Sequence, residues 1–288
     1  MDFTDLFCSI DDFTNRIMKR QATAQSLPKS KRGVAPQMHL SEIMTIIVGY
    51  HISGFKNFKT YYFYLCSQHR SEFPTLISYN RFVEWIPLTL VPLCLYLRSK
   101  MGSNTGISFI DSTSIAVCKN LRINNNKVFK GIAARGKTSC GWFYGFKLHF
   151  TISHIGEILS FCITPGNVSD SSKVMTLCKN ISGKLFGDKG YIGKKIFKDL
   201  FKKGLKLVTG IKNNMANQMM VMQEKLLLRK RFIIETVNDQ LKNICDIEHS
   251  RHRSPHNFLV NLIAGLIAYT HKANKPGIRM SKTGILSV

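Results

Sequence analysis

Gly145-Phe146-Lys147-Leu148-His149-Phe150-Thr151-Ile152 alternates apolar and polar residues without interruption. A period of two is the mark of a strand with one face in a core. Phe146, Leu148, Phe150 and Ile152 are expected inward, and Lys147, His149 and Thr151 outward. His154-Ile155-Gly156-Glu157 supplies turn chemistry, and Ile158 to Thr164 reads as the returning strand of an antiparallel hairpin. Pro165-Gly166-Asn167 stops it. Upstream, Gly106-Ile107-Ser108-Phe109-Ile110-Asp111-Ser112-Thr113 is a third strand-like run. Downstream, Ser169 or Asp170 can cap a helix to about Lys179. A short strand within Lys184-Leu185-Phe186-Gly187-Asp188-Lys189-Gly190-Tyr191 then ends at Asp188, followed by a Lys-rich helix from about Lys194 to Lys203 and a strand from Leu205 to Thr209.

The last element of this series is a helix around Glu235, within Arg229-Lys230-Arg231-Phe232-Ile233-Ile234-Glu235-Thr236-Val237-Asn238-Asp239-Gln240-Leu241-Lys242. At about 100° per residue, Arg231, Glu235, Asn238 and Lys242 fall within roughly 60° of one another. Ile233, Val237, Leu241 and Ile244 line a face turned away from them. Alone, a carboxylate between two cations is a surface ion-pair ladder. Alone, Asp111 and Asp188 are cap or turn residues. Together they admit another reading. A carboxylate following a buried strand is costly unless paired, and a divalent cation pairs it well. Two strand-end aspartates and a helical glutamate, Asp111, Asp188 and Glu235, can hold two Mg²⁺ about 3.5–4 Å apart, a geometry suited to in-line displacement at a phosphodiester.

The order of three strands, helix, strand, helix, strand, helix predicts an α/β fold: a ribonuclease H-like mixed sheet flanked by helices. An all-helical region precedes it. Residues 1–18 have helical spacing, and Lys19 to Gln37 is polar and basic with Pro28, Gly33 and Pro36, reading as a linker. Ser41 can cap a helix to about Ser53 with Gly54 as its stop. A second helix runs from about Asn57 to Gln68, and a third opens near Ser78 or Tyr79. Pro87 and Pro92 bend or divide the segment running on to Met101. These helices suit either a helix-turn-helix, with Tyr79, Asn80 and Arg81 opening the recognition helix, or a plain packing unit. The expected division is a helical region over 1–100, a catalytic domain over 101–275 and a basic tail over 276–288.

With 288 residues, 44% hydrophobic and 10% aromatic, the chain can build a full core. Its net charge is +24. Residues 1–100 hold 12 Lys+Arg against 7 Asp+Glu, leaving 29 against 10 for the remainder, so the excess surrounds the three acids. A basic body around a small acidic centre suits a polyanion such as nucleic acid. No basic amphipathic helix points to a lipid surface, and the longest apolar run, Phe258 to Tyr269, is too short to span a bilayer; no membrane partner is expected. That run, with small Gly265 and Ala268, is expected to close a core. The eight cysteines form no Cys-x-x-Cys pair, and Cys94, Cys162 and Cys178 lie in apolar runs, consistent with buried free thiols in a reducing compartment. The first residues carry acids and lack a basic leader, so a soluble intracellular protein is expected.

Other features admit two readings. Lys119, Arg122, Lys127, Lys130, Arg135 and Lys137 lie in a stretch with no acid; it is either a solvated loop or a DNA-backbone contact with salt-dependent, sequence-blind affinity. His249, His252 and His256 resemble a metal site. Ser254 and Pro255 instead read as the start of a helix, and Arg251 and Arg253 repel a cation, which favours a phosphate-contacting patch. His149, beside Lys147, suits hydrogen bonding better than catalysis. The aromatic cluster from Phe55 to Tyr64 is either a helix-packing or a base-stacking surface. Gly187, Gly190 and Gly193 form no dinucleotide or Walker fingerprint, so no nucleotide cofactor is indicated.

The chain resembles the DDE transposases of bacterial insertion sequences, and most closely the insertion-sequence family numbered nine-eight-two. The resemblance runs from about Phe109 to Tyr269. It rests on Ile110-Asp111-Ser112-Thr113, Tyr144-Gly145-Phe146-Lys147-Leu148-His149, Thr164-Pro165-Gly166-Asn167-Val168-Ser169-Asp170, Phe186-Gly187-Asp188-Lys189-Gly190-Tyr191 and the Glu235 helix. Related enzymes carry Tyr-Arg-Glu-Lys around their glutamate; Arg231, Glu235 and Lys242 match that spacing here, but Leu228 stands at the Tyr position. Residues 189–234 leave no room for a large inserted domain between Asp188 and Glu235. The resemblance implies that Asp111, Asp188 and Glu235 bind two Mg²⁺ or Mn²⁺ ions, that water hydrolyses the element end to expose a 3′-OH, and that this 3′-OH is then joined to target DNA. It also implies phosphate contacts by Arg231 and Lys242, with Asn238 on the same helical face, double-stranded DNA as partner at element ends and target, a homo-oligomer on that DNA, and a bacterial cytoplasmic, nucleoid-associated location. A ribonuclease H-type nuclease without joining activity and a silent DNA-binding protein remain the rival readings.

Overall fold

The protein was analysed as a computed structural model that describes residues 3–21, 38–139, 141–211, 220–249 and 252–279, with backbone alone at 18, 20 and 21. The chain divides into two compact units. One comprises Met1–Lys100, Asn243–Ile247 and Arg253–His271; the other comprises Met101–Lys242, Glu248–His252 and Lys272–Val288. The partition differs from a single cut near residue 100, because two later segments join the helical unit.

The helical unit contains α1 (Phe3–Gln21), α2 (Leu40–Ser53), α3 (Phe58–Gln68), α4 (Tyr79–Trp85), α5 (Leu90–Lys100) and α10 (Pro255–Thr270). Helix α2 starts one residue before the expected cap. His39 is the N-cap, its backbone N–H donates to the Glu42 carboxylate (2.7 Å), and Ser41 is buried. Gly54 ends the helix at φ 78°, a left-handed conformation that suits glycine. Asn57 caps α3 by accepting from the Thr60 amide (3.2 Å). Tyr61, Tyr62, Phe82, Leu93, Tyr96 and Leu97 are fully buried, so the aromatic cluster serves largely as packing, although Phe63 and Tyr64 remain exposed. The apolar face of α10 is buried almost throughout, as expected, and Gly265 lets Ile247 approach where a Cβ would clash.

Helix α4 has seven residues and gives way to a 3₁₀ turn at Pro87. Tyr79 stacks on Phe63, and Arg81 pairs with Glu84 (3.1 Å), so two of the three residues expected to open a recognition helix are engaged within the unit. The run Tyr79–Lys100 is long and apolar enough, by length and composition alone, to cross a membrane. It is longer than the apolar run singled out in the sequence. Cys94 on α5 is exposed rather than buried, whereas Cys162 is half-buried and Cys178 buried; the seven described cysteines are free. Of the expected linker, residues 19–21 belong to α1 and the rest lies outside the described residues.

The second unit is built on a six-stranded mixed sheet. Its strands are β1 (Ile107–Cys118), β2 (Ala134–Thr138), β3 (Gly141–Ser153), β4 (Ile158–Pro165), β5 (Gly183–Gly187) and β6 (Leu205–Thr209). The order across the sheet is β4-β3-β1-β5-β6, the ribonuclease H order. β1–β3 and β3–β4 are antiparallel, and β1–β5 and β5–β6 are parallel. β2 is an addition: it pairs with residues 141–145 on the same edge of β3 that β4 covers along 146–152. The stretch expected as one basic loop thus contains a 3₁₀ turn (Asn120–Arg122) and a strand. Fully buried Phe129 anchors it by ring contact with Phe146 (5.9 Å) and by accepting the Tyr144 hydroxyl (3.2 Å).

Helices cover both faces. On one, α6 (Val174–Leu177) and α7 (Lys194–Lys202) bring Val174, Leu177 and Leu200 onto Ile110, Leu185 and Leu207. On the other lie α8 (Met222–Arg229) and α9 (Phe232–Asp239). This double cover corrects the expectation for β3: Lys147 is mostly shielded, and His149 and Thr151 are fully buried. Inside, Thr151 pairs with Ser160 (2.6 Å) and His149 Nε2 with Thr164 (2.8 Å), while His149 Nδ1 makes no hydrogen bond among the described residues. The start of the expected basic tail is also tied down, because Ile278 N–H donates to the His154 carbonyl (2.7 Å); residues 280–288 lie outside the described residues.

Gly183 opens β5 at φ 94°, and a Cβ there would run into the Gly106 carbonyl. Gly183→Val is expected to lower stability by about 2 kcal/mol or more. Gly190→Ala, with open space around it, should change stability by less than about 0.5 kcal/mol. Urea midpoints followed by circular dichroism check both.

Candidate active site

The two aspartates follow a short stretch of parallel pairing. β1 and β5 run parallel with Phe109 opposite Phe186 as the last pair, and Asp111 and Asp188 each stand two residues beyond it. Asp111 projects on the side carrying α9, where Asn238 meets it. Asp111 lies inside β1 rather than at its end, because β1 runs on to Cys118 against β3 after leaving β5. Asp188 does follow the last residue of β5. It stands at the N-cap of a 3₁₀ turn (Lys189–Tyr191) without making a side-chain cap bond, and it is exposed.

Helix α9 packs Ile233, Ile234 and Val237 inward. Past Asp239 it widens into a π turn over Gln240–Ile244. That change of period turns Ile244 out to 49% exposure, although straight α-helical spacing expected it buried. The polar face meets the sheet at Asn238, whose Nδ2 donates to Asp111 Oδ2 (3.2 Å) and so links the helix to the first acid. Arg231 pairs with Glu235 at 2.8 Å, and the Glu235 side chain is 57% exposed. Lys242 pairs with Glu248 (2.8 Å), whose other oxygen accepts from the Ala116 amide (2.7 Å).

Burial pushes the Asp111 carboxyl up to about 6. The Ser112 amide and Arg231 pull it down, while Glu235 and Asp170 add to the rise. Asp170 is a fourth carboxylate near the site, one that the sequence marks only as a possible helix cap. It pairs with Lys147 (3.0 Å) and stands 3.7 Å from His149 Nδ1. Burial lowers the His149 pKa, Asp170 opposes that, and Lys147 and Lys173 add to it. Tyr191 is buried on the far side of the strand pair. Burial, then Asp111, Asp170 and Asp188, raise its pKa, and its hydroxyl lies beside Ser112 without a hydrogen bond of good geometry. The signal for Asp170 was present: it closes the Thr164–Asp170 motif, but a carboxylate after Pro-Gly-Asn reads equally as a cap.

Three carboxylates form an all-oxygen donor set suited to Mg²⁺ or Mn²⁺. Asp111, whose charge is poorly compensated by its surroundings, is the group that a cation would most stabilise. Among the described residues, however, no three acidic, histidine or cysteine side chains are already gathered closely enough to hold an ion. Asp111 and Asp188 each follow the paired residues of adjacent strands, while Glu235 pairs with Arg231.

The other expected contact residues are dispersed. Lys119, Arg122, Lys127, Lys130, Arg135 and Lys137 are all exposed on the segment between β1 and β3. Arg253 is exposed in the helical unit, and Arg251 lies outside the described residues. His249 and His252 stack ring on ring at 3.7 Å and belong to no metal cluster among the described residues.

No curated protein matches the chain in sequence. Seven chains of solved structures match it in fold, among them one in a cryo-EM structure of a piggyBac transposase synaptic complex with hairpin DNA. That match has a TM-score of 0.53 and 11% identity, and it covers 92% of this chain and 71% of the other. The family described as the transposase DDE domain matches residues 101–255, which include Asp111, Asp188 and Glu235. Since that segment is more than half of the 288 residues, the chain belongs to the transposase DDE domain family.

Proposed function

We propose that this protein is the transposase of a bacterial insertion sequence, of the kind grouped in family nine-eight-two. In this reading it cuts the ends of its element and joins the freed 3′-OH to target DNA. The observation that supports the reading is the bond from Asn238, on the helix that presents Glu235, to Asp111, on a strand paired in parallel with the one leading to Asp188, all within the family segment.

Asp111, Asp188 and Glu235 are the residues that would hold a divalent pair. Such ions supply Lewis-acid stabilisation of charge on a phosphodiester and lower the pKa of attacking water. The chain's own contributions are distinct. Asn238 holds Asp111 in orientation through its 3.2 Å bond. Glu235 reaches the aspartates by leaving Arg231, whose guanidinium is then available to a phosphate. Hydrolysis at an element end breaks one phosphodiester and leaves a 3′-OH. Attack by that oxygen on a target phosphate forms one phosphodiester and breaks another, so joining needs no nucleotide cofactor. The exposed cations of residues 119–137 would hold the backbone of bound duplex DNA, with a multimer of the chain bridging two ends.

Asp111→Ala, Asp188→Ala and Glu235→Ala are each expected to reduce cleavage and joining of labelled element-end DNA at least about a thousandfold, with DNA affinity changed less than about threefold. Full activity in any of the three would sink the proposal, and failure of the parent to join a pre-cut 3′-OH end would mark a nuclease instead.

A second expectation concerns pH. A carboxyl raised to about 6 in the fold, against about 3.9 when unfolded, takes up protons on folding between those values. Its cost to stability therefore grows as pH rises from about 4 to 6 and is fully present above. Asp111→Asn should stabilise the metal-free protein at pH 7.5 by about 1–3 kcal/mol and give no gain near pH 4. Mn²⁺ should raise the melting temperature of the parent but not of this variant. Equal melting of the two proteins at both pH values would count against a strained Asp111.

A further inference from the structure

Trp142 stands out on β3. Residues 143–153 of that strand are buried or half-buried, yet the Trp142 side chain is 61% exposed. Its position is fixed by two neighbours. Lys137 lies opposite it in the β2–β3 register and holds its ammonium 5.7 Å from the indole centroid. Asn120 Nδ2 donates to the Trp142 carbonyl (2.7 Å), bringing the 3₁₀ turn against the strand. That turn carries Leu121, which is 96% exposed, and Val128 and Ile132 of the same segment are also exposed. Nothing in the described chain covers this apolar group, and leaving an indole and a leucine in water is unfavourable unless a partner uses them.

Charge selects the partner. Between Asp111 and Glu157 there is no acidic residue, while Lys119, Arg122, Lys127, Lys130, Arg135, Lys137 and Lys147 all fall there. The first six of these are exposed. An exposed ring and aliphatic wedge inside a field of cations match a nucleic acid strand, whose phosphates meet the cations and whose bases have apolar faces for stacking. Trp142 also lies on the face of β3 that continues to Phe150, the partner of Asp111. Eight residues of strand place it about 26 Å from Asp111, or roughly eight base pairs along B-DNA. Resting on the DNA-enzyme reading above, the geometry points to Trp142 as a stacking site for an unpaired or unstacked base of bound DNA, separate from the cutting centre and from the phosphate contacts of the surrounding cations.

The chain's two tryptophans make the test direct, because Trp85→Phe leaves Trp142 as the sole indole reporter. The probes are a 30-base-pair duplex of arbitrary sequence and the same duplex with three unpaired thymines at its centre. Trp142 fluorescence should be quenched more strongly by the bulged probe. In the otherwise unchanged full chain, Trp142→Ala should weaken binding to the bulged probe about 5- to 100-fold. It should leave the paired duplex within twofold, with an unchanged salt slope, and Trp142→Phe should recover most of the loss. Lys137→Ala should instead weaken both probes and flatten the salt slope. The proposal falls if Trp142→Ala binds the bulged probe as tightly as the parent does, or if the indole does not respond to either DNA; cleavage by the acid centre would then stand unaffected. It also falls if the variant keeps its DNA affinity and loses self-association in sedimentation, which would make this an interface between copies. A parent chain that binds neither probe overturns the DNA-enzyme reading along with it.

Discussion

The parallel pairing of Ile107–Phe109 with Lys184–Phe186 is the constraint on which the active-site geometry depends. It lasts only three residue pairs. Beyond it, β1 continues along β3 while β5 stops at Gly187, and the chain leaves one carboxylate inside a strand and another just past a strand end. Where the pairing ends, Asp111 is held inside the sheet and Asp188 is left exposed just past β5. The cost appears in Asp111, which burial drives toward protonation. Helix α9 then adds an amide donor from Asn238 and a third acid held on Arg231. Asp111 is thus held by the sheet and by Asn238, while Glu235 stands on an exposed side chain.

Gly187 shows how closely this depends on backbone approach. A Cβ there would press on Ile110 (3.0 Å) and on the Tyr191 ring (3.1 Å). Around it, Leu185, Tyr191 and Ile110 form one buried cluster with Val174, Leu177 and Leu200, so the rigid side of the sheet lies behind the acids. Glu224 supports the same strands from the opposite face. Buried, it takes Lys206 (2.8 Å) and Lys184 (3.0 Å) on one oxygen, and although burial alone would raise its pKa, these two lysines bring it below the usual range. That pair of contacts ties β5 to β6 and to α8 at the level where the site strands begin.

Much of the fold was legible because period and punctuation agreed. The hairpin from Gly145 to Thr164, the strand leading to Asp188 and the strand from Leu205 to Thr209 follow the expected pattern. What escaped was tertiary. Alternation in β3 suggested a wet face, but alternation also arises when the second face is covered and its polar groups find partners, as His149 does with Thr164. The strand β2 was hidden in Ala-Arg-Gly-Lys-Thr, which has little strand propensity of its own and is held by pairing with β3. Helical arithmetic located Glu235 and Asn238 correctly on one face but assumed an unbroken helix, and the π turn moved Ile244 out of register. The pair of acids could be named from sequence. Their places beyond one parallel pairing needed the register, and the Arg231–Glu235 pairing needed the structure.

The outer margin of β3 is shared between β2, five residues long, and β4, eight residues long, while the opposite margin is the five-residue β6. Among the described residues, a strand added along either of these margins would meet five residues of β2 or β6, or eight of β4, before reaching a break. Long-range extension of the sheet is discouraged by this segmentation. Self-sticking through open strand edges, a hazard for any sheet that does not close, is correspondingly limited.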